Sequence, residues 1–544
     1  MSPFRSDTSS KQSMLADDDA KTLRDISSSK APSSSVTLED PMFLDYYTDG
    51  KNQSDGHKDV TAATVQQEDE RRQDEKRLIR TLDWHILPLF CTFYFVDYLD
   101  RANIGNATIA GLQKDLSMTG SQLSTAISAF FVTYILFQIP SNVILKRFGA
   151  RWWLSSIMLV WGVTTTCMAL VRNFEGLLVT RLVLGAAESG YVPGILYQMS
   201  RLYKPTELGF RVSLLLCMGA LSGIASGPIA FAATYLEGTH GLHGWQYLFI
   251  MEGVPTIALS LLSYIVLFDD VDSVRWLTEK QKALQKERME QYKKQERTPI
   301  TWRTFRVALL DYKTWFFAII HFLTAISLTS INVFAPIIIE GFGFPVLTTQ
   351  LLTTPPSVIA AALIIVCGIL ADRGDKRAFL VTVGSLIVAF GYFLLLVLQN
   401  RWGLYSAMFV IAAGIGVEGP IGVSWAAVNY PDVTVRVLVV AFVSMAGNTG
   451  NVIASFVYTA KSDDLQHIFG NAFNLITSIV NGALAALTGF LLYRENRKFL
   501  TANLERMEKF ENGNESANVS IYVRGYSMDN VQRVRKDIIT SNTT

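Results

Sequence analysis

Charge and cysteine are what this 544-residue chain has least of. Only 17% of its residues are charged while 50% are hydrophobic. That is too little polar surface for several soluble domains and fits a polytopic membrane protein. The four cysteines, Cys91, Cys167, Cys217 and Cys367, all fall in apolar runs. They are expected as buried thiols, which excludes a disulfide framework or a cysteine metal site. A net charge of +1 argues against a polyanionic partner, and no nucleic-acid motif is present. No nucleophile–base pair, metal-ligand cluster or nucleotide loop is found, so an enzyme is not expected. Neither is a bound cofactor. The first apolar run is a full-length span behind some 80 polar residues, so no cleavable signal is expected.

Taken in order, residues 1–80 are rich in Ser, Asp and Lys and are expected to be a disordered cytosolic tail. Apolar segments follow at 84–103, 122–145, 152–171, 176–200, 211–235, 245–267, 315–338, 350–371, 378–398, 402–425, 434–459 and 468–493. They form two six-helix halves, 81–268 and 314–494, around a polar central loop, 269–313, with a polar tail from 495 to 544. The fold expected is therefore all-α, with 12 transmembrane helices in two pseudo-symmetric halves, the pattern of two-half transporters. Within the central loop, Glu279–Glu290 is a candidate charged amphipathic helix.

Basic residues set the orientation. Lys146, Arg147 and Arg151 follow the second segment, Arg201, Lys204 and Arg211 the fourth, and Arg373, Lys376 and Arg377 the eighth. The opposite loops are poorer, with Lys114, Arg172, Arg401 and Lys461. Both termini and the central loop are thus expected in the cytosol. The sequons at Asn52, Asn514, Asn518 and Asn542 then lie on the unglycosylated side, and Asn106 lies too close to the membrane for use.

Ionisable residues inside the segments carry the chemistry. Arg181 and Glu188 are seven residues apart and share a face of the fourth segment, about 10 Å apart along the axis. Gly185, between them, leaves room for a substrate or a neighbouring helix. Two charges on one stripe do not face lipid, where each would cost a few to more than ten kcal/mol, so an internal cavity is expected. The first segment reads Phe95-Val-Asp97-Tyr-Leu-Asp100-Arg101-Ala-Asn103, with Asp100 and Asn103 on one face and Asp97 a turn earlier. Asp100 beside Arg101 supplies a titratable acid and a cation able to hold an anion; the plainer alternative is an interfacial pair that anchors the helix. Static pairing of Arg181 with Glu188 is likewise open. Glu252 and Glu418 could line the cavity or bond between helices, and the Gly-Pro pair after Glu418 marks a broken helix. Asn448 and Asn451 share a face and serve either substrate or helix–helix bonding. His321 reads better as packed than as a proton shuttle, and Tyr191 and Tyr197 serve either a ligand or packing.

The loops Leu145-Lys-Arg-Phe-Gly-Ala-Arg151 and Gly368-Ile-Leu-Ala-Asp-Arg-Gly-Asp-Lys-Arg377 resemble the loop motif of the major facilitator superfamily. That likeness implies a gating clamp of Arg147 and Arg151 in one half and Asp372 and Arg373 in the other. The first copy has Lys146 where an Asp is commonest. Tyr98-Leu-Asp-Arg-Ala-Asn-Ile-Gly-Asn-Ala107 with Arg181-Leu-Val-Leu-Gly-Ala-Ala-Glu188 resembles the anion:cation symporter family of that superfamily, above all fungal permeases for allantoate, nicotinate and pantothenate. Gly244–Gly253 and Asn448-Thr-Gly-Asn451 add to the likeness, which covers roughly residues 80–495.

The resemblance implies that Asp100 and Glu188 carry protons and that Arg101 and Arg181 bind and gate an anion; from their faces, Asn103, Asn448 and Asn451 are further candidate substrate contacts. Arginine suits that part because its planar fork takes a carboxylate bidentately and stays charged. The function expected is proton-coupled symport of a small organic anion by alternating access, driven by a proton gradient, in a fungal plasma membrane. An endosomal, vacuolar or endoplasmic reticulum membrane is the alternative address. The expected partners are a small monocarboxylate, protons and the lipid bilayer, with no nucleic acid. A sulfonate substrate, or a nutrient receptor retaining the transporter fold, are the rival readings.

Overall fold

The structure is a computed structural model that describes residues 58–295, 301–374, 376–419, 421–430, 433–458 and 468–511. Most of the expected polar tails, 1–57 and 512–544, therefore lie outside the described residues. The described chain is almost wholly helical. Span 1 is the second part of the long helix Lys58–Ala107. Spans 2 and 3 are Gly120–Phe148 and Ala150–Met168. Span 4 is split into Phe174–Glu188 and Tyr191–Leu202. Spans 5 and 6 are Pro205–Tyr235 and Gly244–Val266.

In the second half, span 7 is Tyr312–Glu340, and span 8 comprises Val346–Leu352 and Thr354–Gly374. Span 9 is Arg377–Val397, and span 10 is split into Arg401–Glu418 and Ile421–Val428. Span 11 is Val433–Val457, and span 12 opens the helix Ile468–Glu511. Among the described residues, nine helices have the length and mean hydropathy to cross a bilayer unaided. Spans 1, 3 and 4 fall short: span 4 is interrupted, acids and an arginine dilute the apolar stretch of span 1, and Arg151 with the serines and threonines of the short span 3 does the same there.

Local signals set the helix ends. Span 2 starts in a reciprocal cap, in which Thr119 Oγ1 accepts from Gln122 N at 3.2 Å and Gln122 Oε1 from Thr119 N at 2.8 Å, an arrangement that satisfies two otherwise orphaned amides. It ends at Gly149, whose φ of 87° lies in the region that glycine enters without strain. Span 3 therefore starts at once, its Arg151 amide donating to Asp269 Oδ1 at 3.0 Å. Asn173 caps span 4 by accepting from Gly176 N at 3.0 Å.

Within the first half, spans 1 and 5, 2 and 4, and 3 and 6 pack as pairs. The second half repeats two of these pairings, with 7 against 11 and 8 against 10. Spans 3 and 6 touch backbone to backbone, since a β-carbon on Gly253 would meet Thr166 N at 2.7 Å. The halves meet through spans 1 and 7, 2 and 11, and 5 and 8. Three hydrogen bonds join them there: Ser124 Oγ to Ser455 O at 2.5 Å, Gln350 Nε2 to Asn106 O at 3.2 Å, and Thr354 Oγ1 to Ile224 O at 3.2 Å. All six residues lie toward the end of the bundle opposite the central loop, which is therefore sealed.

At the other end the central loop folds onto the first half. Helix Glu279–Gln295 lays Arg288 against Glu207, Nη1 to Oε1 at 2.9 Å, and against Leu202 O at 2.9 Å. Gln285 Nε2 also reaches Leu202 O, at 2.8 Å. The helix before span 1 joins the same collar through Arg211–Asp83, Lys204–Glu75 and Lys280–Asp74.

One packing expectation needs correction. Cys91 and Cys367 are buried, but Cys167 is exposed and Cys217 half-buried, because their positions on the helices turn them outward. A thiol tolerates either setting. At Gly185 the room goes to a neighbouring helix, one of the two occupants expected: the Phe130 carbonyl and Thr133 of span 2 stand where a β-carbon would lie.

Candidate functional site

The site is a buried polar cluster in the first half, built from spans 1, 3, 4 and 6. Asp97, Asp100, Asn103 and Glu188 are each 0% exposed, Arg181 2% and Glu252 3%. Span 1 contributes Asp97, Asp100, Arg101 and Asn103, whose spacing of three and four residues places neighbours on one helical face. Arg101 crosses to span 4, its Nε donating to Glu188 Oε2 at 3.0 Å. Its Nη2 donates to Asp97 Oδ1 at 3.1 Å and lies 2.9 Å from Oδ2. The guanidinium also lies over the Tyr134 ring at 4.9 Å and the Tyr98 ring at 5.6 Å, within cation–π range.

Arg181 makes a different bond from the pairing with Glu188 left open by the sequence. Its Nη2 donates to Asn103 Oδ1 at 3.1 Å, and its Nε has no partner. Asp100 Oδ2 accepts from Trp161 Nε1 on span 3 at 2.6 Å and from Thr256 Oγ1 on span 6 at 3.4 Å, while Oδ1 is unpartnered. Glu252, one turn before Thr256, faces Asn103 without closing a hydrogen bond, and neither of its oxygens is paired. One oxygen of Glu188 is also unpaired. Buried polar atoms without partners cost a few kcal/mol each and are rare, and here five acidic or guanidinium atoms of that kind lie in one cluster, beside Asp97 Oδ2, which has only its ion pair with Arg101.

The cluster thus sets four carboxyls, of Asp97, Asp100, Glu188 and Glu252, against two guanidiniums, of Arg101 and Arg181. Fully ionised, it would hold an excess of two negative charges away from water. Such an excess is costly in a site shielded from water.

The remaining candidates lie elsewhere. Asn448 and Asn451 are on span 11, where Asn451 Oδ1 accepts from Thr329 of span 7 at 2.7 Å and its Nδ2 reaches Asn448 Oδ1 at 3.4 Å. They form a second-half pair, apart from the first-half cluster. Arg147 lies 5.9 Å over Phe148, and Arg151 Nε donates to Tyr264 O at 2.6 Å. Both are held within the first half at the central-loop end. The side chains of Asp372 and Arg373 lie outside the described residues. Tyr191 is packed, its hydroxyl 3.3 Å from Met158 Sδ, and His321 lies against Gly447 and Gly422.

Sequence reasoning named Asp97 and Glu252 only in passing and missed Trp161, Tyr134 and Thr256. A tryptophan indole N–H in an apolar segment needs a partner when buried, and Trp161 is 0% exposed; that was the available signal.

Comparison with known proteins agrees with this architecture. The model of the Major Facilitator Superfamily matches residues 90–455 and 317–512. The uncharacterized transporter C1683.12 of Schizosaccharomyces pombe is 31% identical over 454 residues, 83% of this chain and 93% of that protein. A second transporter of that yeast, C1002.16c, is 30% identical over 429 residues, 78% of this chain and 85% of its own length. Among solved structures, a bacterial homologue of the human lysosomal transporter Spinster, in an inward-facing and occupied conformation, superposes with a TM-score of 0.58 at 15% identity. It covers 75% of this chain and 96% of its own. With two six-helix halves and a buried charged cluster in the first of them, this chain belongs to the Major Facilitator Superfamily of membrane transporters.

Proposed function

We propose that the protein is a proton-coupled symporter that imports a small organic anion by alternating access. The observation that carries the reading is the charge ratio of the cluster, four carboxyls to two guanidiniums. Because the site already has more acids than cations, a bound anion deepens the deficit by one charge. The anion enters only with a proton, and that requirement is what couples the two.

Arg101 is the pivot. It holds Asp97 and Glu188 in the state described here, and a substrate carboxylate competes for the same guanidinium. Glu188, released from Arg101 into a dry site, takes up a proton. Arg181, with a free Nε beside unpaired Glu252, offers the second point of attachment. Asp100, held by Trp161 and Thr256, is a further proton acceptor. The basic residues of the loops at the central-loop end support a cytosolic central loop and cytosolic termini; on that orientation the closed end faces outward. Uptake across a plasma membrane fits a cell with acidic surroundings.

The preferred substrates are monocarboxylate nutrients such as nicotinate, pantothenate or an allantoate-like ureido acid, with a sulfonate as the nearest alternative. The test is uptake of labelled nicotinate, pantothenate, allantoate and a sulfonate into permease-deficient yeast at acidic and neutral external pH, with Glu188→Gln and Arg181→Ala alongside. Acid-stimulated uptake of one anion, lost in both variants, is the expected result. Uptake indifferent to pH that survives Glu188→Gln would leave a facilitator. Binding without transport would leave a receptor.

A further inference from the structure

The second half contains a buried carboxyl that this mechanism does not use. Span 10 stops at Glu418 and restarts at Ile421, as span 4 stops at Glu188 and restarts at Tyr191. Each half thus carries an acid at the last residue of the first stretch of its fourth span. Glu188 is met by arginine, whereas Glu418, 1% exposed, has neutral partners: Ser385 Oγ on span 9 at 2.5 Å and Asn481 Nδ2 on span 12 at 3.3 Å. Gly384 of span 9 packs against its backbone and Cβ. Span 8 brings Ala360 and Leu363 to the preceding turn, at Gly416. Tyr392 of span 9 is the other titratable group that faces it.

Hydrogen accounting at Ser385 shows what this arrangement permits. Its Oγ lies 2.8 Å from Val381 O and 2.5 Å from Glu418 Oε2, and accepts from Asn481 Nδ2 at 3.0 Å. The hydroxyl has one proton to give. Turned toward the Val381 carbonyl, it leaves the short contact to be bridged by a proton on Glu418. Turned toward Glu418, it joins Asn481 in stabilising the carboxylate. The same three side chains serve both protonation states, and only a hydroxyl rotates between them.

A polar column leads to this carboxyl. On span 12, Asn471, Asn474, Ser478 and Asn481 recur every three or four residues, each 2% exposed or less. Opposite them on span 7 stand Ser330, Ser327 and Thr324, equally buried. Tyr458 OH donates to Asn471 Oδ1 at 3.2 Å, and Asn474 Nδ2 reaches Ser330 Oγ at 3.2 Å. Ser327 Oγ lies 3.2 Å from Ser478 Oγ, and Asn481 Nδ2 reaches Thr324 Oγ1 at 2.9 Å. The column starts at the sealed end of the bundle and stops at Glu418.

We infer that Glu418 is a reversible proton-binding site of the second half, reached along the column of spans 7 and 12 and separate from the charged cluster. It goes beyond the proposed symport and rests on that reading only for the side to which the column opens.

The test needs no substrate. Full-length protein in lipid nanodiscs is titrated with acid and followed by infrared difference spectroscopy of the carboxylic-acid carbonyl stretch. The wild type should show a protonated-carboxyl band that falls as pH rises, is absent in Glu418→Gln, shifts in Glu418→Asp and persists in Glu188→Gln. Its exchange in heavy water should slow several-fold in Asn474→Leu. A well-folded Glu418→Asp with no such band at any pH, or a wild-type band that never titrates, would leave a fixed interhelical hydrogen bond and overturn the inference. Failure of anion uptake would leave it standing.

Discussion

Adding one methyl group at Gly105 should move the protein between conformations. Gly105 is on span 1 at the sealed end, and a β-carbon there would collide with the Val333 carbonyl oxygen of span 7 and lie 3.6 Å from Pro336 Cγ. The collision exists only while the halves are closed at this end, so the cost falls on that state alone. Overpacking by a methyl group costs about 1–3 kcal/mol, comparable with the three hydrogen bonds of the seal at about 0.5–1.5 kcal/mol each. The helix-propensity gain of Ala over Gly, about 1 kcal/mol, is common to both states and cancels. A penalty of that size shifts the ratio of the two states about 5- to 150-fold toward opening at this end.

Spin labels at Leu170→Cys and Trp402→Cys, both exposed at that end, in a background without the four native cysteines, measure the separation directly. Gly105→Ala should add or enlarge a longer-distance population in nanodiscs. An unchanged distance distribution together with a lowered melting temperature would refute the reasoning, because the backbone would then have yielded without any choice between states.

Three further outcomes follow from the geometry. Arg101→Ala should lower the melting temperature strongly, by the roughly 3–5 kcal/mol that a broken buried pair costs, and adding Glu188→Gln should restore part of it in the same thermal assay. Arg288→Ala should free helix Glu279–Gln295 from Glu207 and Leu202, seen as faster hydrogen exchange confined to that helix and Leu202. Lys280 donates to Asp74 at 2.6 Å and holds its carboxyl below the usual range. The contribution of that pair is therefore present above the unfolded carboxylate value and is lost as pH falls through the lower folded one. Lys280→Gln should return Asp74 to the ordinary range in an NMR titration.

The fold was legible because twelve spans interrupted by basic loops leave few alternatives in a bilayer, where backbone groups must bond within each helix. The Gly-Pro pair after Glu418 is a legible signal, whereas Ser189-Gly190 is not, and on sequence alone segment 176–200 reads as whole. Periodicity on one helix places Asp97, Asp100 and Asn103 together, but it does not say which helix supplies the partner. Hence a pairing of Arg181 with Glu188 stays open on sequence alone, whereas its bond goes to Asn103 on span 1. Trp161 and Thr256 were invisible for the same reason, since an indole or a hydroxyl in an apolar segment does not announce which acid it faces. The spacing of Asn471, Asn474, Ser478 and Asn481 was there to be read and has meaning only against Ser330, Ser327 and Thr324 of another span.

The difference between the two acids at the helix breaks carries a consequence for coupling. Glu188 shares Arg101 with Asp97, so any anion that competes for that guanidinium alters what Glu188 must do with its proton. Glu418 shares only Ser385 and Asn481, neutral groups that an anion does not displace. On the proposed reading, a proton at Glu188 is tied to substrate, while a proton at Glu418 is tied to the packing of spans 7, 9, 10 and 12. Since span 7 also forms the seal with span 1 at Gly105, a change of hydrogen bonding along Ser330, Ser327 and Thr324 bears on the surface that closes the bundle. On the proposed reading, one half would report the cargo and the other the proton supply, and closure would answer to both.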